Sequence, residues 1–432
     1  MGWRRLGAAN RWILFVAVAP LVLSARAVAA DASLVLEAVQ KLQENYVDQV
    51  DPVKLLNAGI QGLRKQLADA NATADLSDLP EGISVQDARR LFMERFASAR
   101  SAAPAVNETQ LAYRAIRSAI ELLDDPNTMF LTPEEYRFQQ AQRRSGFGGI
   151  GVVLAMRAGR HYVWLIIPGG PAEAAGVKPF DRVDKVGDLS TEGMTTDQLV
   201  NFVRGITGTP VTLTLRRPGT VDPITLSMSR ASIKIPAITR AQVLREKIGY
   251  VHLYRFEEGA ANEFRAVLLR LGGQALQGLI LDLRGGGAGL IRELDGVLDA
   301  LLAPGTTAYI TESRRGRMPA VTKGPQVLPT QARLIVLTDD TVALSATLVA
   351  AVKDAGRGIL VGAKTLGQVN QFQRFELKDG SALEITSGRT LTARGTRLDK
   401  DGVNPDISVS MGVEEFEAGR DRQLEEAIQR VQ

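Results

Sequence analysis

The sequence predicts a multidomain α/β protein with a helical N-terminal region, a central domain of short strands, and a C-terminal domain in which strands and helices alternate. The chain has 432 residues, 45% of them hydrophobic and 23% charged, which suits two or three buried cores. Apolar residues recur at helical spacing before residue 145, and short strands with glycine turns fill 146–230. From 248 onward strand and helix patterns alternate, which is typical of a sheet with crossover helices.

The first 30 residues have the pattern of a cleavable signal peptide. Arg4, Arg5 and Arg11 supply positive charge, an apolar run covers 12–23, and small residues at 25–30 offer a cleavage site. The apolar run is much shorter than the roughly 20 residues that a bilayer-spanning helix needs. We therefore expect export to the periplasm, with an uncleaved, membrane-associated segment as the alternative.

Charge and composition exclude several classes of site. The net charge of +4 comes from residues 1–30, which hold four arginines and no acidic residue; the rest has 48 basic residues (52 less these four) and 48 acidic ones. Such a balance gives no reason to expect nucleic acid as a partner. Cysteine is absent and the only histidines are His161 and His252, so we expect no metal, no cofactor, no disulfide and no Ser-His-Asp triad.

The N-terminal region, assigned to 31–145, is predicted to be helical. Periodic leucines and valines predict helix over 33–70, and 71–105 is predicted to be a loop with one short helix near 85–96. A further helix at 109–123 should stop before Pro126. Thr132 is the predicted N-cap of the next helix, with Pro133 at its first position.

The remaining elements follow in two domains. The central domain, assigned to 146–230, has predicted strands at 152–154, 161–167 and 211–217 and helices at 172–175 and 196–204. The C-terminal domain, assigned to 231–412, has predicted strands at 249–253, 278–283, 333–338 and 359–361 and helices at 260–271, 290–302 and 346–353. The continuous apolar run at 278–283 is typical of a buried parallel strand. Residues 413–432 are assigned as a C-terminal helix.

Six motifs in a fixed order resemble the carboxyl-terminal processing (tail-specific) serine peptidases. They are 44–48 (ENYVD), 123–136 (LDDPNT and LTPEEY), 149–151 with 171–176 (GIG and PAEAAG), 281–284 (LDLR), 356–367 (GRGILVGAKTLG) and 402–407 (GVNPDI). The resemblance implies a PDZ β-barrel-like domain at 146–230 and a ClpP/crotonase-like α/β peptidase core at 231–412. It also implies C-terminal segments of exported proteins as the substrate class.

A glycine loop in the predicted PDZ domain has the composition of a carboxylate-binding loop. Such a domain binds an extended peptide by strand addition, and its loop needs backbone N–H groups that converge on an anion. Gly148, Gly149 and Gly151 would allow that geometry, while Ile150 and Val152 would line the pocket for the terminal side chain. The alternative is a glycine turn that merely joins two strands.

One PDZ position departs from the family pattern. In the turn after the short helix at 172–175, where the family usually has glycine, this chain has Phe180. We expect this substitution to alter the packing of the domain.

The family's catalytic lysine falls on Gln368. The alignment of 361–368 has no gap, and an amide does not titrate near neutral pH, so Gln368 cannot act as the general base. The family's catalytic serine falls on Ala343 when residues are counted back from Asp354, the supporting residue of the alignment. Counted forward from 336–337 it falls on Leu344, and neither side chain has a hydroxyl.

Two features bear on whether catalysis survives. The glycine loop that would supply oxyanion donors contains Gly285, Gly286 and Gly287 and continues into an alanine at 288. Ser345 with Lys364 is a conceivable substitute pair, although Lys364 lies four residues before the usual lysine, or roughly 13 Å along a strand. The alternative for Ser345 is the N-cap of the helix at 346–353.

Three functions are compatible with these residues. The first is a pseudopeptidase that binds protein C-termini as a scaffold or a regulator, with an active peptidase relative or a second copy of itself as partner. The second is an active serine endopeptidase that processes the C-terminal ends of exported proteins. The third is a structural adaptor in which even the glycine loop is vestigial.

Overall fold

The computed structural model describes residues 31–144, 147–245, 247–272, 275–339, 343–367 and 369–431. The predicted signal peptide at 1–30 and the lysine position, Gln368, lie outside these residues. Within the described ranges, no helix combines the length and hydropathy needed to cross a membrane.

Four helices form the N-terminal core, where the sequence predicted three helical stretches. They are α1 (Ala32–Asn45), α2 (Pro52–Asp69), α3 (Val85–Ala102) and α4 (Glu108–Glu121). The predicted continuous helix over 33–70 is wrong, because the chain turns between α1 and α2. Asp51 caps α2 by accepting the Val53 N–H, and Pro52 occupies the first position. The short helix predicted near residue 85 is a full α3 of 18 residues.

A capped helix connects this bundle to the central domain. Strand β1 (Met129–Leu131) precedes α5 (Pro133–Arg144). Thr132 Oγ1 accepts the Glu135 N–H at 3.3 Å, and the Glu135 carboxylate accepts the Thr132 N–H at 2.7 Å. The predicted cap at Thr132 is therefore confirmed as a reciprocal capping box.

The central domain is a small β-structure with one groove-forming helix. Its elements are β2 (Phe147–Gly148), β3 (Val152–Arg157), β4 (Arg160–Ile166), α6 (Pro171–Ala174), β5 (Arg182–Val186), β6 (Leu189–Ser190), α7 (Thr196–Val203), β7 (Gly205–Ile206), β8 (Pro210–Arg216) and β9 (Ile224–Ser229). The main sheet has the order β3-β4-β5-β8-β9, which leaves β3 at an edge.

The C-terminal domain contains the predicted sheet with crossover helices. Its strands are β10 (Ile238–Arg245), β11 (Ile248–Leu253), β12 (Gly278–Asp282), β15 (Arg333–Thr338), β16 (Ile359–Gly362) and β19 (Ile407–Ser408), adjacent in this order. From β11 onward all pairs are parallel. Helices α8 (Ala260–Leu271), α9 (Ile291–Leu301) and α10 (Ala343–Asp354) share the main core on one face, and α13 (Arg422–Val431) covers the other.

A second sheet, which the sequence did not predict, joins the core to the N-terminal helices. It is antiparallel, with the order β1-β18-β13-β14 and β17 paired to β18. The new strands are β13 (Thr307–Ser313), β14 (Gly316–Val321), β17 (Gln371–Glu376) and β18 (Ala382–Thr392). Two further short helices are α11 (Leu398–Asp401) and α12 (Val413–Ala418). The single C-terminal helix assigned to 413–432 is wrong, because Gly419, with φ +64°, ends α12 and α13 begins at Arg422.

Candidate peptide-binding groove and catalytic cleft

A groove of about 1060 Å³ runs between β3 and α7 of the central domain. Its floor contains the predicted glycine loop and the start of β3. Its wall is formed by Thr196, Val200, Asn201 and Val203 of α7. Ile150 is fully buried at its base and Val152 is half-buried. An apolar groove beside an edge strand can accept an extended peptide by strand addition.

The glycine loop presents unpaired amides at one end of this groove. Among the described residues, the N–H groups of Ile150 and Gly151 donate to no acceptor. The Gly149 N–H is used internally, because it donates to the Ala231 carbonyl at 2.9 Å. Gly151 has φ +80°, and a Cβ there would lie 3.3 Å from the Gly170 Cα. Two adjacent free amides at a left-handed glycine form a cradle for a carboxylate.

The groove also has a wall outside the central domain. Tyr254 follows β11, Phe372 lies on β17 and Glu384 on β18, and all three line the same groove. Phe372 is 49% exposed, whereas Glu384 is nearly buried and accepts the Arg374 Nε–H at 2.9 Å. These residues were not predicted, because their position depends on how the central domain sits on the core.

The predicted serine position lies at the head of α10. The helix begins at Ala343, whose φ of +54° is in the left-handed region. This conformation costs a residue with a Cβ about 1–2 kcal/mol, and similar sharp strand-to-helix turns expose the nucleophile of other hydrolases. Here the turn carries a methyl group.

Ser345 is not the N-cap of α10, so that interpretation is wrong. The helix begins two residues before Ser345, and the side chain is fully buried. Among the described residues, Ser345 Oγ has no hydrogen-bond partner, and Lys364 has an exposed side chain. The two groups are therefore not joined by a hydrogen bond in this structure.

The backbone donors of the cleft are engaged by the protein itself. The Ala343 N–H donates to the Gly367 carbonyl at 3.3 Å, and the Leu344 N–H donates to the Gly287 carbonyl at 3.1 Å. In the second glycine loop, at 285–287 in the core, the Gly287 N–H donates to the Tyr254 carbonyl at 3.1 Å. An oxyanion would have to displace these carbonyls.

The other two amides of the loop at 285–287 differ in whether they are hydrogen-bonded. The Gly285 N–H donates to the Asp339 carboxylate at 3.0 Å. Among the described residues, Gly286 N–H has no acceptor, and a Cβ at Gly286 would lie 2.2 Å from the Tyr254 carbonyl oxygen. Glycine is thus required at 286 by close approach of the backbone.

Asp354 lies at the far end of α10, roughly 16 Å along the helix axis from Ala343. Its carboxylate accepts the Arg394 N–H at 3.2 Å and lies 3.6 Å from the Arg394 guanidinium. The structure therefore gives Asp354 a role in fixing a neighbouring turn, away from the cleft.

Arg284, which precedes the glycine loop at 285–287, links β12 to the C-terminal segment through side-chain hydrogen bonds. Its buried guanidinium donates to Asp282 at 2.6 and 2.9 Å and to Asp421 at 2.8 and 2.9 Å. Burial alone would raise the pKa of Asp282, but the Arg284 charge and the hydrogen bonds it donates lower that pKa to about 2. Asp282 is consequently an ionised carboxylate that holds Arg284, the residue before the glycine loop at 285–287.

The two histidines lie in different environments. The His252 Nε2–H donates to the Arg284 carbonyl at 3.0 Å, and Nδ1 accepts the Thr239 hydroxyl at 2.5 Å, so both nitrogens are satisfied. His161 is buried and has no polar partner among the described residues, and burial lowers its pKa. In the described parts of the chain, no three His, Cys, Asp or Glu side chains cluster as metal ligands.

Comparisons with known proteins agree with this architecture. The model of peptidase family S41 matches residues 247–409, and a PDZ domain model matches residues 163–217. The carboxyl-terminal-processing protease of Picosynechococcus sp. is 31% identical over 300 residues, which cover 68% of this chain and 72% of that protein. The carboxy-terminal processing protease CtpA of Bacillus subtilis is 28% identical over 305 residues, covering 71% of this chain.

The alignments do not span every relative fully. They cover 65% of the Bacillus subtilis protein, less than two thirds of its length. Among solved structures, the photosystem II D1 C-terminal processing protease matches with a TM-score of 0.56 and 25% identity, over 89% of this chain and 94% of that one. The predicted multidomain α/β fold with a PDZ domain and a peptidase core is thereby confirmed, and the chain belongs to the family of carboxyl-terminal processing peptidases.

Proposed function

We propose that this protein is a periplasmic pseudopeptidase that binds the C-terminal segments of exported proteins on its PDZ domain without cleaving them. It would act as a scaffold or as a regulator, with an active peptidase relative or a second copy of itself as partner. The observation that carries the proposal is Ala343, a methyl group at the strained head of α10 where the family's serine would stand.

Two further observations support the loss of catalysis. Gln368 occupies the position of the family's lysine, and its amide cannot accept a proton from an alcohol near neutral pH. The amides of Ala343 and Leu344, which an oxyanion would need, donate to the protein's own carbonyls. The proposed deficit thus lies in the nucleophile, the base and two of the oxyanion donors together.

Binding is supported by the free amides of Ile150 and Gly151 at the end of an apolar groove. A terminal carboxylate can accept both N–H groups, while β3 pairs with the peptide backbone. The experiment is a fluorescence titration with a peptide that has an apolar residue and a free carboxylate at its C-terminus. The same peptide with an amidated C-terminus is the control. Equal affinity for the two would refute carboxylate recognition, and no binding by either would favour the vestigial adaptor.

The alternative is an active endopeptidase, which the names of the relatives favour, since these describe proteases that process carboxyl termini. In that case Ser345 would be the nucleophile and Lys364 the base. Incubation with an unfolded protein that has an apolar C-terminus tests both functions. Intact substrate agrees with a pseudopeptidase, whereas proteolysis that Ser345→Ala abolishes would establish the alternative.

Periplasmic location is part of the proposal and rests on the pattern at residues 1–30. Mass spectrometry of the protein from fractionated cells gives the mature N-terminus and the compartment. We expect a chain that begins after residue 30 in the periplasmic fraction. An intact N-terminus in the membrane fraction would support the uncleaved alternative.

A further inference from the structure

Phe180 has a backbone conformation that favours glycine. It lies in the turn between α6 and β5 with φ +71°, and its N–H donates to the Val163 carbonyl at 2.7 Å. A bulky residue in the left-handed region persists only where the surrounding packing compensates for its strain. The contacts of the ring therefore indicate what this residue does.

The ring of Phe180 packs against a residue from outside the PDZ domain. Phe416 of α12 is fully buried, and its ring centroid lies 5.4 Å from Phe180, 5.7 Å from Trp164 and 5.0 Å from Tyr162. Three of these four rings come from the PDZ domain and one from the C-terminal segment. We call Tyr162, Trp164, Phe180 and Phe416 the aromatic cluster.

Polar contacts surround the aromatic cluster on the same two surfaces. The Arg157 Nε–H donates to the Met411 carbonyl at 2.8 Å, and Arg160 and Arg182 lie 2.7 and 3.4 Å from the Glu417 carboxylate. The Arg284 guanidinium, which is fixed in the core, stacks over Trp164 at 4.7 Å. The PDZ domain is thus attached to both the C-terminal segment and the core.

The orientation fixed in this way determines the shape of the peptide groove. Tyr254 and Phe372 of the core line the groove together with β3 and α7 of the PDZ domain. Within the described strands, β17, which carries Phe372, pairs only with β18, so its outer edge is free for an extended chain. A rotation of the PDZ domain would separate these two walls.

We propose that Phe180 is a positioning residue, which through Phe416 holds the PDZ domain against the core and extends the groove into a composite site. The PDZ part takes the terminal carboxylate and the last side chains of a peptide. The Tyr254 and Phe372 part takes an upstream stretch rich in apolar residues. This inference rests on the proposed binding of C-terminal segments and adds the length and composition of the segment.

The test compares two peptides with the same C-terminus by fluorescence anisotropy. A short peptide of about five residues, roughly 17 Å when extended, occupies only the PDZ part. A long peptide of about 14 residues, with apolar residues in its upstream half, reaches the core wall. For the wild-type protein we expect the long peptide to bind roughly tenfold more tightly than the short one. This gain corresponds to the burial of about one aromatic side chain between the peptide and the core wall.

Three variants locate the source of that gain. Phe180→Gly suits the positive φ, so the PDZ domain keeps its fold, and it should bind the short peptide like the wild type while losing the advantage of the long one. Phe372→Ala should have the same effect from the core side. Phe202→Ala removes an exposed ring of α7 that faces neither the groove nor the aromatic cluster, and should leave both affinities unchanged.

Each result decides between the two proposals. If the wild type does not bind the short peptide, the proposed function fails and the inference fails with it. If the short peptide binds but the wild type shows no preference for the long one, only the inference is overturned. The inference alone is also overturned if Phe180→Gly still binds the long peptide more tightly than the short one. It is likewise overturned if this variant no longer binds the short peptide.

Discussion

Restoring the two missing side chains should not restore catalysis. The double variant Ala343→Ser with Gln368→Lys supplies a hydroxyl at the head of α10 and an amine at the family's lysine position. The new serine would still lack two oxyanion donors, because the amides of residues 343 and 344 donate to the Gly367 and Gly287 carbonyls. Among the described residues, the Gly286 N–H of the loop at 285–287 is not engaged in this way. The side chains are necessary for proton transfer, but the charge that develops on the substrate oxygen would be stabilised by fewer donors than in an active enzyme.

The size of the deficit follows from the number of engaged donors. Loss of one oxyanion donor typically lowers kcat by about 10²- to 10³-fold, so two engaged donors predict a deficit of roughly 10⁴-fold or more. In the loop at 285–287, the Gly287 N–H also donates to a protein acceptor, the Tyr254 carbonyl. That amide therefore cannot replace the two engaged donors.

The assay is hydrolysis of a fluorogenic peptide, with an active carboxyl-terminal processing peptidase measured in parallel. Labelling by a serine-reactive phosphonate reports separately whether the introduced hydroxyl has become nucleophilic. We expect the double variant to remain at least about 10⁴-fold slower than the active enzyme. A rate within tenfold of that enzyme would refute the account of the engaged donors.

Three further predictions concern binding and stability. Gly151→Ala should abolish binding of C-terminal peptides, whereas Gly159→Ala, which bears a similar strain at φ +73° but lies in an open turn, should lose about 1–2 kcal/mol of stability and keep full affinity in the same titration. Arg284→Leu leaves the buried Asp282 carboxylate without its cation and should lower the free energy of unfolding in urea by about 3–5 kcal/mol; a loss below 1 kcal/mol would contradict this. His161 has a pKa lowered by burial, so the unfolded chain takes up the proton first as the pH falls below about 6.5, and stability should decrease there. His161→Leu should flatten that part of the urea-midpoint profile, and an unchanged slope would show that His161 is not responsible.

Local sequence signals predicted the parts of the fold that local patterns determine. The apolar run that forms β12 was correctly predicted as a buried parallel strand, and all five of its residues are buried between β11 and β15. The cap at Thr132 followed from side-chain chemistry alone. The second sheet was missed because β18 carries buried threonines and an arginine and has no apolar alternation, and because its partner β13 lies far away in sequence.

The site divides in the same way between local and long-range features. The glycine loop of the PDZ domain, at 148–151, was recognised from its residues, and the free amides of Ile150 and Gly151 agree with that interpretation. The core wall at Tyr254 and Phe372, and the pairing of Phe180 with Phe416, depend on the packing of distant segments. The engagement of the Ala343 amide is a backbone hydrogen bond, which side-chain identity does not encode.

Binding without cleavage can be measured in one sample. The purified protein is mixed with a long fluorescent peptide that ends in an apolar residue, and the anisotropy is followed for many hours. The mass of the peptide is then determined by mass spectrometry. We expect saturable binding and recovery of the peptide at its full mass. Shortened peptide, formed at a rate that Ser345→Ala eliminates, would contradict it.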